Sequence, residues 1–209
     1  ASTGANSNYS ILVSTTGTGP IVHSGLTMNT TYYYRVRTSN QPFDGQPVFT
    51  VYSENNTHTL TAVPGALTFG GVWQSSITLN LAADTNTAGT IYNVEASTGT
   101  NGAYGIIYTG VYAAALTHIG LTPNVTYYYR ARTLNMAGSP SGYNSEVNTH
   151  TITAVPGAVV IGTVGTTSIQ VTWTDGGNDS AIYELAASTI VNTAYAAIYS
   201  GTGTTYTHN

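Results

Sequence analysis

Cysteine and lysine are both absent from this chain of 209 residues. Without cysteine there is no disulfide, no thiolate nucleophile and no sulfur ligand for a metal. Secretion remains open, because a domain of this size buries enough apolar area without a covalent staple. Without lysine, positive charge rests on Arg35, Arg37, Arg130 and Arg132, and the net charge is -4. A chain so poor in cations cannot neutralise phosphates, which excludes nucleic acid as a partner. Charged residues make up 6% of the chain, against roughly a quarter in an average globular protein. Its surface must therefore be Thr, Ser, Asn, Gly and Tyr, which hydrogen-bond water without repelling a neighbour. Apolar runs are short as well. None approaches the ~20 residues of a membrane-crossing helix, so no membrane insertion is expected, and no signal-peptide pattern is present. A start at Ala1 without Met is what a mature or trimmed product would show.

What the chain has in quantity is repetition. Gly120-Leu121-Thr122-Pro123-Asn124-Val125-Thr126-Tyr127-Tyr128-Tyr129-Arg130-Ala131-Arg132-Thr133 has a near-copy running from Gly25 to Thr38. Thr57–Ala66 recurs at Thr149–Ala158, and Ala96-Ser97-Thr98 returns at Ala1-Ser2-Thr3 and Ala187-Ser188-Thr189. Tyr9, Tyr104 and Tyr195 share one further position, and His23, His118 and His208 another.

From Tyr127 onward one face reads Tyr127, Tyr129, Ala131, Thr133 and the other Tyr128, Arg130, Arg132. A period of two, rich in aromatics, predicts a half-buried strand. The spacing Leu-x-Pro-x-x-x-Tyr before it matches a tyrosine corner, in which a buried Tyr bonds its hydroxyl to nearby backbone. Tyr127 and Tyr32 are those residues. One complete unit is expected over 62–152, with strands over 66–72, 75–82, 90–98, 104–109, 113–119, 126–135 and 145–152. Turn-rich pieces separate them and no helical period appears, which predicts a seven-stranded antiparallel β-sandwich. Residues 1–61 read as the C-terminal half of a preceding unit and 153–209 as the N-terminal part of a third. Ala62-Val63-Pro64-Gly65 and Ala154-Val155-Pro156-Gly157 form the junctions, since Pro ends a ladder and Gly lets the chain turn. Neither terminus falls at such a junction, as expected of a window in a longer run of repeats or, alternatively, of half-units that complete each other between molecules by strand exchange.

Pro156 leading a unit, apolar alternation into Trp173, Tyr183 after it and Leu121-x-Pro123 before Tyr127 together resemble the fibronectin type III family. The tail Asn135-Met136-Ala137-Gly138-Ser139-Pro140-Ser141 resembles that family's loop before the last strand. Most similar are the Thr- and Tyr-rich tandem versions in large bacterial surface proteins. The resemblance implies tandem, immunoglobulin-like sandwiches in a secreted, extracellular or cell-surface protein. One departure stands out: the family's core Trp is present as Trp173, but Leu81 holds that position in the complete unit, and Trp73 lies eight residues earlier.

Catalytic and metal motifs are missing. His23, His118 and His208 occur once per unit on a strand, which suits a half-buried, hydrogen-bonded ring rather than a zinc site with three or four convergent ligands. Glu54 and His58, like Glu146 and His150, are four strand residues apart, ~13 Å, too far to share an ion. Asp84–Gly89 and Asp175–Asp179 offer too few carboxylates for calcium. No Gly-x-Ser-x-Gly and no phosphate-binding loop occurs. No catalytic role, cofactor or metal is assigned.

Three expectations about sites remain. Arg130, Arg132, Glu95 and Glu146 should form an outward charged face, with His150 beside Glu146. Sequons stand at Asn8, Asn29, Asn55, Asn124 and Asn178, and Asn29 and Asn124, in one exposed turn of successive units, are the candidate glycosylation positions. Phe43, Phe49 and Tyr52 could offer an aromatic sugar platform. Three functions fit: a structural or adhesive repeat of a fibre, stalk or layer, partnered by other copies or neighbouring repeats; a spacer in an extracellular polysaccharide-degrading enzyme; or a carbohydrate-binding module.

Overall fold

The computed structural model describes every residue except 5–8, 14–16, 18, 41–45, 101, 179 and 192. Asn8 and Phe43 therefore lie outside the described residues. Among those described the chain is all strand and turn, with no helix.

The order begins with β1 (Thr31–Val36) and β2 (Ser53–His58). Seven strands follow: β3 (Leu67–Val72), β4 (Ser76–Leu81), β5 (Ile91–Ser97), β6 (Gly105–Val111), β7 (Ala115–Ile119), β8 (Thr126–Leu134) and β9 (Val147–His150). The last five are β10 (Val160–Val164), β11 (Ile169–Thr172), β12 (Tyr183–Ala187), β13 (Ala196–Gly201) and β14 (Thr205–His208).

Strands β3 to β9 form two antiparallel sheets, ordered β3-β4-β7 and β6-β5-β8-β9. Their alternating residues meet in one core. Ile77 and Leu79 from β4 and Val94, Tyr129 and Ala131 from β5 and β8 are wholly inaccessible to solvent. Residues flanking this sandwich repeat parts of it. Hairpin β1–β2 pairs as β8–β9 does. Ser2 bridges Tyr33 just as Ser97 pairs with Tyr128, so the first residues lie beside β1 as β5 lies beside β8. Sheets β10-β11-β14 and β12-β13 reproduce β3-β4-β7 and β5-β6. The fold is thus that of tandem β-sandwiches.

The core difference at Leu81 is made good nearby. Trp173 is buried and meets Tyr183 edge-on at 6.0 Å. In the complete sandwich Tyr92, the counterpart of Tyr183, meets Tyr112 edge-on at 5.8 Å instead, and the Tyr112 hydroxyl donates to the Leu81 carbonyl at 2.9 Å. Gly203 stands at the Tyr112 position in the last segment. The ring beside this tyrosine thus comes from the residue after β11 in the last segment and from the chain after β6 in the complete sandwich. Trp73 is half exposed and lies over Gly71, where even a Cβ would approach its ring to 1.9 Å.

Candidate functional site

On β8 the outward residues are Tyr128, Arg130 and Arg132, and on β5 they are Asn93, Glu95 and Ser97. Simple alternation would leave the β5 set in water, yet all three are buried, Glu95 to 4% exposure. What covers them is a layer of side chains lying on the sheet. Arg130 Nε and Nη2 donate to Glu95 Oε2 at 3.0 and 2.9 Å, and Arg132 Nη2 lies 3.3 Å from Oε1. The Tyr143 hydroxyl donates to the same Oε1 at 2.8 Å.

The guanidinium of Arg130 is held between two rings, 3.8 Å from the centre of Tyr104 and 3.9 Å from that of Tyr143. Arg132 lies 5.0 Å from the Tyr143 ring. Such contacts contribute about 0.5–1 kcal/mol in water and about 2 when desolvated. Burial, followed by the bond to Glu95, pushes the Tyr143 hydroxyl pKa up; burial, followed by the bond to Glu146, pushes Tyr104 up to about 12.

Glu146 departs from its expected role. Its carboxylate accepts from Thr100 Oγ1 at 3.1 Å and from the Tyr104 hydroxyl, and makes no ion pair among the described residues. Tyr104 and Thr100 belong to the β5–β6 hairpin, so Glu146 reaches across the sheet over Arg130 rather than down onto it. His150 pairs with Thr126 at the far end of β9, away from the arginines.

The same stack is built on β1. Arg35 lies 3.8 Å from the Tyr9 ring and 4.2 Å from Tyr52, and Arg37 lies 3.7 Å from Phe49 and 4.8 Å from Tyr52. Phe49 and Tyr52, two of the three residues expected to form a sugar platform, therefore each lie against a guanidinium. Nothing on β8 or β1 marks the capping rings. The signal was the recurrence of Tyr9 at Tyr104.

Both corner tyrosines are nine-tenths buried. The Thr122 N–H donates to the Tyr127 hydroxyl at 3.0 Å, and the Thr27 N–H to Tyr32 at 2.9 Å. The turn between needs two left-handed residues, filled by Gly120 and Asn124 (φ 76° and 58°) and by Gly25 and Asn29 (φ 72° and 47°). Glycine and asparagine adopt that region at least cost. His118 Nδ1 lies 3.2 Å from the Tyr129 hydroxyl and His23 Nδ1 3.2 Å from Tyr34, each ring edge-on to two tyrosines. Burial lowers the His118 pKa. No three His, Asp or Glu side chains converge on a point among the described residues.

Neither candidate glycosylation residue is freely exposed; both are half-buried. Asn29 Nδ2 donates to Thr90 Oγ1 at 3.2 Å and its Oδ1 accepts the Met136 N–H at 2.8 Å, so a glycan there would displace the first bond. The loops resembling calcium sites serve the junctions. Asn86 Oδ1 accepts the Ala62 N–H at 2.8 Å and Nδ2 returns a bond to the Ala62 carbonyl at 3.1 Å. Asn178 treats Ala154 identically, at 2.6 and 3.0 Å. Asp84 accepts the Tyr92 hydroxyl at 2.9 Å and the Asn86 N–H at 2.8 Å, which fixes the clamp. Both asparagines follow their alanines by 24 residues, a spacing that could have revealed them.

No family model matches the sequence, and no curated protein matches it. Solved structures do. A two-domain fibronectin type III segment from chicken tenascin is similar with a TM-score of 0.53 and 14% identity, covering 69% of this chain and 81% of that one. The FN1–FN3 domains of chicken CNTN1 match at a TM-score of 0.40 and 16% identity, over 71% and 55% of the two chains. The fibronectin type III domain of human fibronectin type III domain containing protein 3 matches at 0.39 and 18%, over 44% and 86%. With the tenascin segment this chain shares the arrangement of consecutive sandwiches, and its fold is that of tandem fibronectin type III-like repeats.

Proposed function

We propose that this chain is a non-catalytic structural or adhesive module of a secreted or cell-surface fibre, stalk or layer, built from repeats that divide at 1–61, 62–152 and 153–209. The observation that carries the reading is the made junction. The chain entering each later repeat is clamped by an asparagine of that repeat, Asn86 on Ala62 and Asn178 on Ala154. A module whose task is to transmit position or load needs such joints, whereas an enzyme needs converging reactive groups. Four arginines spent on stacking with aromatics, and a surface of hydroxyls and amides, suit close lateral packing with copies of itself. The test combines electron microscopy of the purified chain with a glycan array. Extended rods or filaments without saturable glycan binding are expected. Rounded particles that bind or cleave a polysaccharide would overturn the reading.

A further inference from the structure

The junction between the first two repeats carries contacts beyond the linker clamp. They gather on the tyrosine-corner turn of the first repeat and on the segment that follows β2. Asn29 uses both ends of its amide, donating to Thr90 at the start of β5 and accepting from Met136 in the β8–β9 loop. Asn135, beside Met136, donates from Nδ2 to the Thr59 carbonyl at 3.3 Å. Its Oδ1 accepts the Ala137 and Ser139 N–H groups at 3.0 and 2.8 Å, which holds the loop in the shape that presents Met136 N–H. Thr133 Oγ1 lies 2.8 Å from Thr61 Oγ1 and donates to the Ala62 carbonyl at 2.7 Å.

We propose that this turn is a docking surface for the following repeat, and that Asn29 is the positioning residue that sets the angle between the two sandwiches. Geometry argues for it. One planar amide bonded to two elements of the neighbouring body, a strand start and a loop, removes rotation about the linker that a single bond would allow. Thr90 is 1% exposed, so its hydroxyl is a fixed partner. Asn29 is itself fixed, since it sits in the left-handed region and its own N–H donates to the Leu60 carbonyl at 3.2 Å.

The surface also selects its neighbour. Thr90 precedes Tyr92 by two residues, and Tyr92 bonds back to Asp84; in the third repeat Tyr183 bonds back to Asp175, and the residue two before it is Ala181. A repeat of the Thr90 type offers a hydroxyl to Asn29 Nδ2, and one of the Ala181 type has no hydroxyl at that position. The Asn29–Thr90 bond is therefore specific to a neighbour with a hydroxyl at this position, and holds for this chain whether or not the chain assembles into fibres.

Absence of native cysteine makes the test direct. Spin labels on Ser53→Cys and Thr68→Cys, both exposed, report the distance between the two repeats in the full chain. A single narrow distance population is expected in the otherwise unsubstituted protein. Asn29→Gly keeps the turn's backbone conformation and removes the amide; Thr90→Ala reproduces the third repeat's side chain. Each should at least double the width of the distribution, with the unfolding midpoint of the second repeat in Asn29→Gly unchanged. Asn29→Asp, which retains the acceptor and loses the donor, should fall between. A broad distribution in the unsubstituted protein, or an unaltered narrow one in both Asn29→Gly and Thr90→Ala, would overturn the assignment.

Discussion

Strands β8 and β1 carry nearly the same sequence and hold their arginines in different company. On β8, Arg130 and Arg132 share the buried carboxylate of Glu95 and keep 28% of their side-chain surface. On β1, Arg35 and Arg37 are exposed and make no ion pair among the described residues, although Glu54 stands directly opposite Arg35 across the ladder. Rings cap both pairs at similar distances. Aromatic stacking is thus the device common to the two strands. On β8 the Glu95 carboxylate beneath the stack is an addition that ties both guanidiniums and the Tyr143 hydroxyl into one buried network. Position decides which acid can serve: Glu95 lies under the rings on the central strand, whereas Glu54 lies on the open face of the edge strand β2.

The largest effect should come from removing that addition. Glu95→Ala leaves two guanidiniums and the Tyr143 hydroxyl without their acceptor. Breaking a fully buried pair costs about 3–5 kcal/mol. Since the arginines retain partial exposure, about 2–3 kcal/mol is expected here. Glu54→Ala on the other hairpin should change stability by less than about 0.5 kcal/mol. Denaturant unfolding of both variants measures the contrast; equal losses would mean that the β1 arginines do rely on Glu54.

Next in size come the corner tyrosines, where the two strands should behave alike. Tyr127→Phe unpairs the Thr122 N–H and Tyr32→Phe the Thr27 N–H, at a cost of about 1–3 kcal/mol each. Tyr128→Phe, on the outer face, should cost almost nothing. A Tyr128→Phe loss as large as that of Tyr127→Phe, again in denaturant unfolding, would reverse the assignment of faces.

These contrasts also mark where the sequence could be read and where it could not. The seven strands of the complete repeat were legible because most alternate, as β4 and β8 do, and most are set off by Gly- or Asn-bearing turns. Buried tyrosines could be placed because the spacing Leu121-x-Pro123-x-x-x-Tyr127 is local. The arginine caps were not, because Tyr143 lies in the loop before β9, where alternation has stopped and direction is set by tertiary contact. Glu146 was assigned to the arginines by proximity in the ladder, but its partners come from a hairpin on the far side of them. Asn29 read as a glycan acceptor because a sequon says nothing of what another repeat brings to it.

Removing a cap should separate the strands again, on a smaller scale. Tyr143→Leu loses a ring over Arg130 and a hydrogen bond to buried Glu95, and about 1–2 kcal/mol is expected. Tyr52→Leu loses ring contact with two exposed arginines and no bond to a buried acid, for about 0.5–1 kcal/mol. Raising the salt concentration should shrink both losses, since the Debye length falls to about 3 Å at 1 M. A Tyr52→Leu loss exceeding that of Tyr143→Leu would show that stacking, not the carboxylate beneath it, dominates the network.

The smallest effect belongs to His118, under the β8 strand. Its ring is packed edge-on to Tyr127 and Tyr129, and desolvation lowers its pKa below the ordinary 6.5. The folded state then binds a proton less readily than the unfolded chain does. The stabilisation is fully present above pH 6.5 and is lost as pH falls through the lowered folded value, because the unfolded state gains protons first. Carboxylates titrate in the lower part of the same window, so the unsubstituted profile alone does not isolate the ring. His118→Phe keeps an aromatic of similar shape against the two tyrosines and removes the titration. Unfolding free energy measured between pH 7.5 and pH 4.5 should therefore fall less steeply in His118→Phe than in the parent. Parallel profiles would mean that His118 takes up its proton equally well in both states, and that its burial against Tyr127 and Tyr129 exacts no electrostatic cost.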